Sequence, residues 1–226
     1  MAPQTQLGAN FNVASYIEHT CLDPFASQAD IEQLCGAADR YGFPAVCLAP
    51  CHVTQAVELL HPSEVQVCTV VGFPSGFSTP ACKLYEAQEA VDLGAGGLDL
   101  VINLGLLRDQ RLDELHREVA QICEATQVPV KAILEMARLS PTQKRLAAEV
   151  CMDAGVAFLK TSTGWFGGAT VADVEILHQV GRDRVGIKAA GGIQTYDQAL
   201  ALIQAGATRL GTSRGVEIVQ GQDEQR

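Results

Sequence analysis

The sequence predicts an α/β protein, a single (β/α)8 TIM barrel, and three observations point there. Eight short apolar runs alternate with amphipathic stretches along the chain. The runs have no polar face, as expected of strands in a parallel sheet covered on both sides. No linker, low-complexity block or change of composition divides the sequence. Its 226 residues lie between the compact limit of such a barrel, roughly 200, and its usual size of about 250.

The elements follow in order. Residues 15–20 read as the first strand. Residues 29–41 read as a helix, because Ile31, Leu34, Cys35 and Ala38 share one face and Gly42 ends it. Residues 45–48 are a strand and 53–60 a helix. Residues 65–71 are the clearest strand, apolar and rich in β-branched side chains. A helix at 79–93 stops at Gly94, and a strand at 98–102, a helix at 113–126 and a strand at 128–134 come next. Ser140 caps the helix 141–154, and Pro141 opens it. Strands at 157–160, 185–189 and 209–211 complete the set, separated by helices at 171–180 and 196–205. Residues 1–14 form a short N-terminal extension. A short helix after Gly215 leads to a polar tail at 220–226, and 1–226 is one domain.

Composition narrows the function classes. Apolar residues make up 47% of the chain, enough for a large core. The net charge of −10 opposes binding to nucleic acid or to an anionic membrane surface. Met1 to Gln6 lack the basic start and apolar centre of a signal segment. No apolar run approaches the ~18 residues of a spanning helix. A cytoplasmic protein is expected. The eight cysteines, mostly in apolar runs, read as buried free thiols. Cys47, Cys51 and His52 have a weak zinc-like spacing, but no second ligand pair follows.

In a barrel of this kind, chemistry gathers where strands end. Polar residues there are Glu18 to Thr20, Cys47, Asp99 to Asn103, Glu135, Lys160 to Thr163, Lys188 and Ser213. Lysine is scarce. Lys83 and Lys144 fall on helices and are expected in solvent, whereas Lys131, Lys160 and Lys188 fall in strands. Lys131 begins its strand, deep in the barrel. Glu135 follows four residues on, on the same face and nearer the mouth. Lys160 and Lys188 close adjacent strands. At the ordinary lysine pKa of about 10.4, only about 0.04% of the side chain is free amine at neutral pH. Burial beside another cation favours the neutral amine, and a free amine is a nucleophile. Lys160 as nucleophile with Lys188 as electrostatic partner is therefore the leading reading. A structural lysine paired with a carboxylate is the plainer one. Asp99 interrupts an apolar strand and needs a partner. It serves either proton transfer or an ion pair with Lys188 or Lys131.

Three late loops carry small residues into helix starts: Thr161 to Gly164 with Gly167 and Gly168, then Gly191 and Gly192, then Gly211 to Gly215. Such loops let backbone N–H groups approach an anion, and barrels often bind phosphate after their last strands. A phosphorylated substrate is expected. Glu18, Thr20, Cys47 and Thr161 at other strand ends, and Arg214, are further candidate substrate contacts.

These residues carry a family resemblance. Val67-Cys68-Thr69-Val70-Val71-Gly72-Phe73-Pro74, Phe158-Leu159-Lys160-Thr161-Ser162-Thr163-Gly164 and Gly186-Ile187-Lys188-Ala189-Ala190-Gly191-Gly192 resemble the deoxyribose-phosphate aldolase family. Tyr41-Gly42-Phe43 and Gly206-Ala207-Thr208-Arg209-Leu210-Gly211-Thr212-Ser213 extend the likeness, which spans about Ser15 to Val219. The resemblance implies cleavage of 2-deoxy-D-ribose 5-phosphate to acetaldehyde and D-glyceraldehyde 3-phosphate, in deoxyribose phosphate catabolism, with no metal or organic cofactor. It places the Schiff-base lysine on Lys160, the second lysine on Lys188 and the proton-handling aspartate on Asp99. It places the phosphate loops on Gly164, Gly191, Gly192, Gly211 and Ser213. It also implies small-molecule partners only, sugar phosphate and aldehydes, and a homodimer.

Some positions depart from the family pattern. Its early Asp-His-Thr is Glu18-His19-Thr20 here. An Asn usual before Pro is Ala49, a basic position is Gln194, and Arg214 stands where a small residue is common. Another Schiff-base aldolase, transaldolase-like or acting on keto acids, remains an alternative, as does a barrel that binds sugar phosphate without turnover. A metal-dependent aldolase would call for a His cluster at strand ends, which the sequence lacks. Arg214 is the substitute expected for the missing phosphate-side charge. Arg214→Ala should raise KM for the phosphorylated substrate in steady-state assays, and an unchanged KM overturns that role.

Overall fold

The computed structural model describes residues 11–225. Eight parallel strands close a barrel in chain order. They are β1 (Ile17–Cys21), β2 (Ala45–Leu48), β3 (Gln66–Val71), β4 (Gly97–Val101), β5 (Val130–Ile133), β6 (Phe158–Lys160), β7 (Gly186–Ala190) and β8 (Arg209–Thr212). β8 returns to β1 with Ile17 opposite Leu210. The helices are α1 (Gln28–Tyr41), α2 (Val53–Leu60), α3 (Pro80–Asp92), α4 (Leu104–Arg108), α5 (Leu112–Thr126), α6 (Pro141–Asp153), α7 (Val171–Gly181), α8 (Tyr196–Gln204) and α9 (Gly215–Glu224). Among the described residues, no helix is long and apolar enough to cross a membrane.

Local chemistry sets the helix starts. Ser27 with Asp30, Ser140 with Gln143, and Thr195 with Gln198 form capping boxes for α1, α6 and α8. Each satisfies N–H groups that the helix cannot. Gly42 ends α1 in the left-handed region, at φ 66°. The main core lies between strands and helices. There the outward residues Val46, Leu48, Leu98, Leu100, Ala132 and Leu159 meet the inward helix faces.

Several expectations are corrected. The first strand begins at Ile17, not at Ser15. Residues Val13–Tyr16 form a 3-10 turn capped by the Asn12 side chain. α9 runs through most of the segment read as a polar tail. Its polar composition hid a buried face, on which Ile218 and Gln222 lie one turn apart. Gln222 accepts from the Val13 N–H and donates to the Phe11 carbonyl, tying the described end of the N-terminal extension to α9. Residues 1–10 and 226, which the extension and tail include, lie outside the described residues. The short α4, started by the Asn103 side chain, had no periodicity long enough to read. Not all cysteines are buried: Cys51 and Cys82 are exposed.

The largest correction is Lys83, which is fully buried rather than solvated. Its ammonium donates to Glu118 at 2.7 Å and to the Val101 carbonyl at 2.9 Å. A helical pattern reveals which residues share a face, but not that a partner waits across on α5. Removing one member of a buried pair strands the other. Glu118→Ala should therefore cost about 3–5 kcal/mol in urea unfolding. Lys83→Met combined with Glu118→Leu should cost less than Glu118→Ala. The opposite order overturns the ion-pair account.

Candidate active site

A cavity of about 560 Å³ opens at the C-terminal ends of β1, β6, β7 and β8. Lys160 lies on its floor, and Thr20, Thr163, Trp165, Gln194 and Arg214 are among its walls. Two glycines allow the loops to converge. A β-carbon on Gly191, where φ is 89°, would sit 2.9 Å from the Gly164 Cα. One on Gly168 would sit 2.6 Å from the Gly191 carbonyl oxygen. Any side chain at either place would push the loops apart.

Below the floor lies a buried charge cluster. Asp99 on β4 receives Lys160 at 2.7 Å and Lys188 at 2.6 Å, both on Oδ2. Its Oδ1 faces the Lys131 ammonium at 3.3 Å. Glu18 on β1 accepts from Lys188 and lies 3.5 Å from Lys131. Alternation explains the gathering. Each residue points inward on its strand, and the register sets Asp99 opposite Lys131 and Lys160 opposite Lys188. Burial opposes the charge on Asp99, but Lys160, then Lys188 and Lys131, outweigh it and hold the carboxyl well below the usual range. Burial likewise opposes the charge on Glu18, and Lys188 and Lys131 lower its pKa. On Lys188, burial is outweighed by Asp99 and Glu18, which hold the ammonium well above the ordinary lysine value. Lys131 is raised in the same way, chiefly by Asp99.

The candidate residues divide by depth. Lys160, Thr20, Gly164, Gly191, Gly192, Gly211, Ser213 and Arg214 line the cavity. Asp99 and Lys188 lie beneath it and touch each other, and Asp99 touches Lys160. Three residues read as substrate contacts sit elsewhere. Glu18 is two residues short of Thr20 on the same strand face, and its carboxylate is spent on Lys188 and Lys131. Cys47 is fully buried, with its thiol donating to Asp99 at 3.7 Å. Burial, then the Asp99 charge, pushes that thiol up to about 12. Thr161 follows Lys160 and so faces the other way; its hydroxyl accepts from the Ala190 N–H and ties β6 to β7. Arg214 reaches the rim, where Glu217 holds its guanidinium at 2.7 Å. His19 is a buried residue against Phe43, ring centroids 5.3 Å apart, rather than a rim residue.

The tertiary structure adds to these residues. Lys131, recognised as a strand lysine, proves to be a full member of the cluster. Asp23 and Leu22 reach the cavity from the β1–α1 loop, where no motif marked them. Trp165 packs edge-on against Phe73, centroids 6.0 Å apart, and walls the mouth.

The cluster makes stability depend on pH. Asp99 and Glu18 are held below their unfolded values, so their contribution is present above about pH 4 and lost as pH falls through the folded values. Lys131 and Lys188 are held above theirs, so their contribution is present below about pH 10 and lost as pH rises through the folded values. The stability gap between the wild type and Asp99→Asn, read from urea midpoints, should therefore shrink as pH falls below about 4. A gap unchanged down to about pH 3 overturns this account.

Known proteins share this arrangement of chain and fold. Residues 14–221 match the family described as DeoC/LacD family aldolase. The deoxyribose-phosphate aldolase of a Cyanothece species is 62% identical over 215 residues, covering 95% of this chain and 94% of the relative. That of Thermosynechococcus vestitus is 60% identical, covering 93% of this chain and 97% of the relative. The deoxyribose-phosphate aldolase of Aeropyrum pernix, described as having a unique tetrameric structure, superposes with a TM-score of 0.89 at 32% identity. It covers 95% of this chain and 92% of its own.

Proposed function

We propose that this chain, which belongs to the DeoC/LacD family of aldolases, cleaves 2-deoxy-D-ribose 5-phosphate to acetaldehyde and D-glyceraldehyde 3-phosphate through a Schiff base on Lys160. One observation carries the assignment of the nucleophile. Of the three lysines around Asp99, Lys160 is the one that lines the cavity. Relatives at 62% and 60% identity that bear the name of this activity support the reaction.

Charge balance prepares the nucleophile. The cluster holds three lysines and two carboxylates, so three ammonium groups would leave one positive charge unmatched. An unmatched buried charge is costly. Asp99 and Glu18 hold Lys188 and Lys131 as cations, and Lys160 is the amine of the three that faces substrate.

The chemistry then runs in order. The Lys160 amine adds to C1 of the open-chain aldehyde, and loss of water gives an iminium. The iminium withdraws electrons from C2. A base takes the C3 hydroxyl proton, the C2–C3 bond breaks, and its electron pair passes into an enamine on Lys160. D-Glyceraldehyde 3-phosphate leaves. Protonation at C2 and hydrolysis of the iminium release acetaldehyde and restore the amine. Asp99 and Lys188, hydrogen-bonded to each other, form the proton relay. The glycine loops with Ser213 and Arg214 anchor the phosphate. The chain acts in the cytoplasm as a homodimer, an assembly that light scattering measures.

Borohydride reduction in the presence of acetaldehyde, followed by peptide mass mapping, tests the assignment. An ethyl adduct on Lys160 is expected. An adduct on Lys188 or Lys131 overturns the choice of lysine. No adduct on folded protein favours the barrel that binds without turnover.

A further inference from the structure

Behind Thr163, which lines the cavity, lies a carboxylate that the reaction above does not use. Glu135 follows β5 and is only 1% exposed. Its backbone is left-handed, at φ 51° and ψ 55°, a conformation that side-chain-bearing residues adopt at a cost. The turn is held from both sides. The Leu134 N–H donates to the Lys160 carbonyl at 3.0 Å and the Met136 N–H to the Thr161 carbonyl at 2.9 Å.

The conformation delivers the carboxylate to one residue. Glu135 Oε2 accepts from the Thr163 N–H at 3.2 Å and from the Thr163 hydroxyl. Its Oε1 is buried with no hydrogen-bond partner among the described residues. The Thr163 hydroxyl also accepts from the Trp165 N–H at 3.1 Å. A hydroxyl has one proton and two lone pairs. The proton is committed to Glu135 and one lone pair to Trp165. Thr163, which lines the cavity, has a single lone pair left to offer, and it can only accept.

We propose that Glu135 is a positioning residue that fixes the polarity of the Thr163 hydroxyl, making Thr163 an obligate acceptor for a substrate hydroxyl and selecting acceptor aldehydes hydroxylated next to the carbonyl. This rests on the aldolase reading above. Thr163 lines the same cavity as Lys160, which takes C1, and directly precedes Gly164, which begins the phosphate loops. The substrate hydroxyls between C1 and the phosphate are on C3 and C4. The C3 hydroxyl must surrender its proton to a base, and a neutral threonine lone pair is not one. The C4 hydroxyl keeps its proton and needs only an acceptor. In the acceptor aldehyde, that group is the 2-hydroxyl.

Aldol addition of acetaldehyde to two acceptors tests the inference: D-glyceraldehyde 3-phosphate, and 3-oxopropyl phosphate, which has the same chain and phosphate without the hydroxyl. The wild type should favour the first in kcat/KM by about tenfold. Thr163→Val and Glu135→Ala should bring the ratio near one, mostly by slowing the hydroxylated acceptor. Thr163→Ser and Glu135→Gln keep the needed oxygens and should keep most of the preference. Glu135→Asp suits the left-handed backbone but is one methylene short, so it should lose the preference even if Glu135→Ala fails to fold. Equal losses on both acceptors, or an unchanged ratio in Thr163→Val, overturn the proposal. Wild-type turnover with no preference overturns this inference alone. No wild-type addition to either acceptor overturns it together with the aldolase reading.

Discussion

The site is organised around one carboxylate. Asp99 receives two ammonium groups on Oδ2 and faces a third on Oδ1, all inside a closed barrel. Water screens the cluster little, because its members are almost fully buried. Each charge is therefore tolerable only while its neighbours stay in place. Without Asp99, Lys188 would retain Glu18, and Lys160 would have no carboxylate within ion-pairing distance among the described residues. The same contacts that make the cluster tolerable also hold Lys160 where a substrate carbonyl can meet it.

The barrel provides this geometry without special loops. Inward positions on β1, β4, β5, β6 and β7 bring Glu18, Asp99, Lys131, Lys160 and Lys188 together because parallel strands share a register and side chains alternate. The proposed mechanism leaves recognition to the loops above. There Gly191 and Gly168 keep two loops closer than any side chain would allow. On the proposed mechanism, depth divides labour: ionic chemistry below the floor, substrate contacts above it, and Lys160 at the boundary.

Two buried ion-pair systems in the same chain serve different ends. Lys83 and Glu118 join α3 to α5 outside the barrel, and Lys83 also satisfies the Val101 carbonyl at the end of β4. That pair supports the strand that carries Asp99. The interior cluster is less balanced, with more amines than carboxylates. An imbalance of that kind is a liability for stability and an asset for an amine that must react.

The chain order of the eight strands, the identity of the strand lysines and Asp99, and the glycine loops were legible in the sequence. Periodicity and composition are local, and an inward strand position is readable once the strand is found. What a side chain meets is not local. The sequence could not show that Lys83 has a partner on α5, that Glu18 and Cys47 lie below the cavity floor, or that the polar residues of α9 cover a buried seam. Nor could it show that Glu135 turns left-handed to meet Thr163. Those facts depend on strand register and barrel closure, which bring residues far apart in sequence to within a few ångströms. The sequence by itself determined which groups were available for the chemistry. Only the closed barrel decided which of them touch, because contact is set by the packing of all eight strands at once.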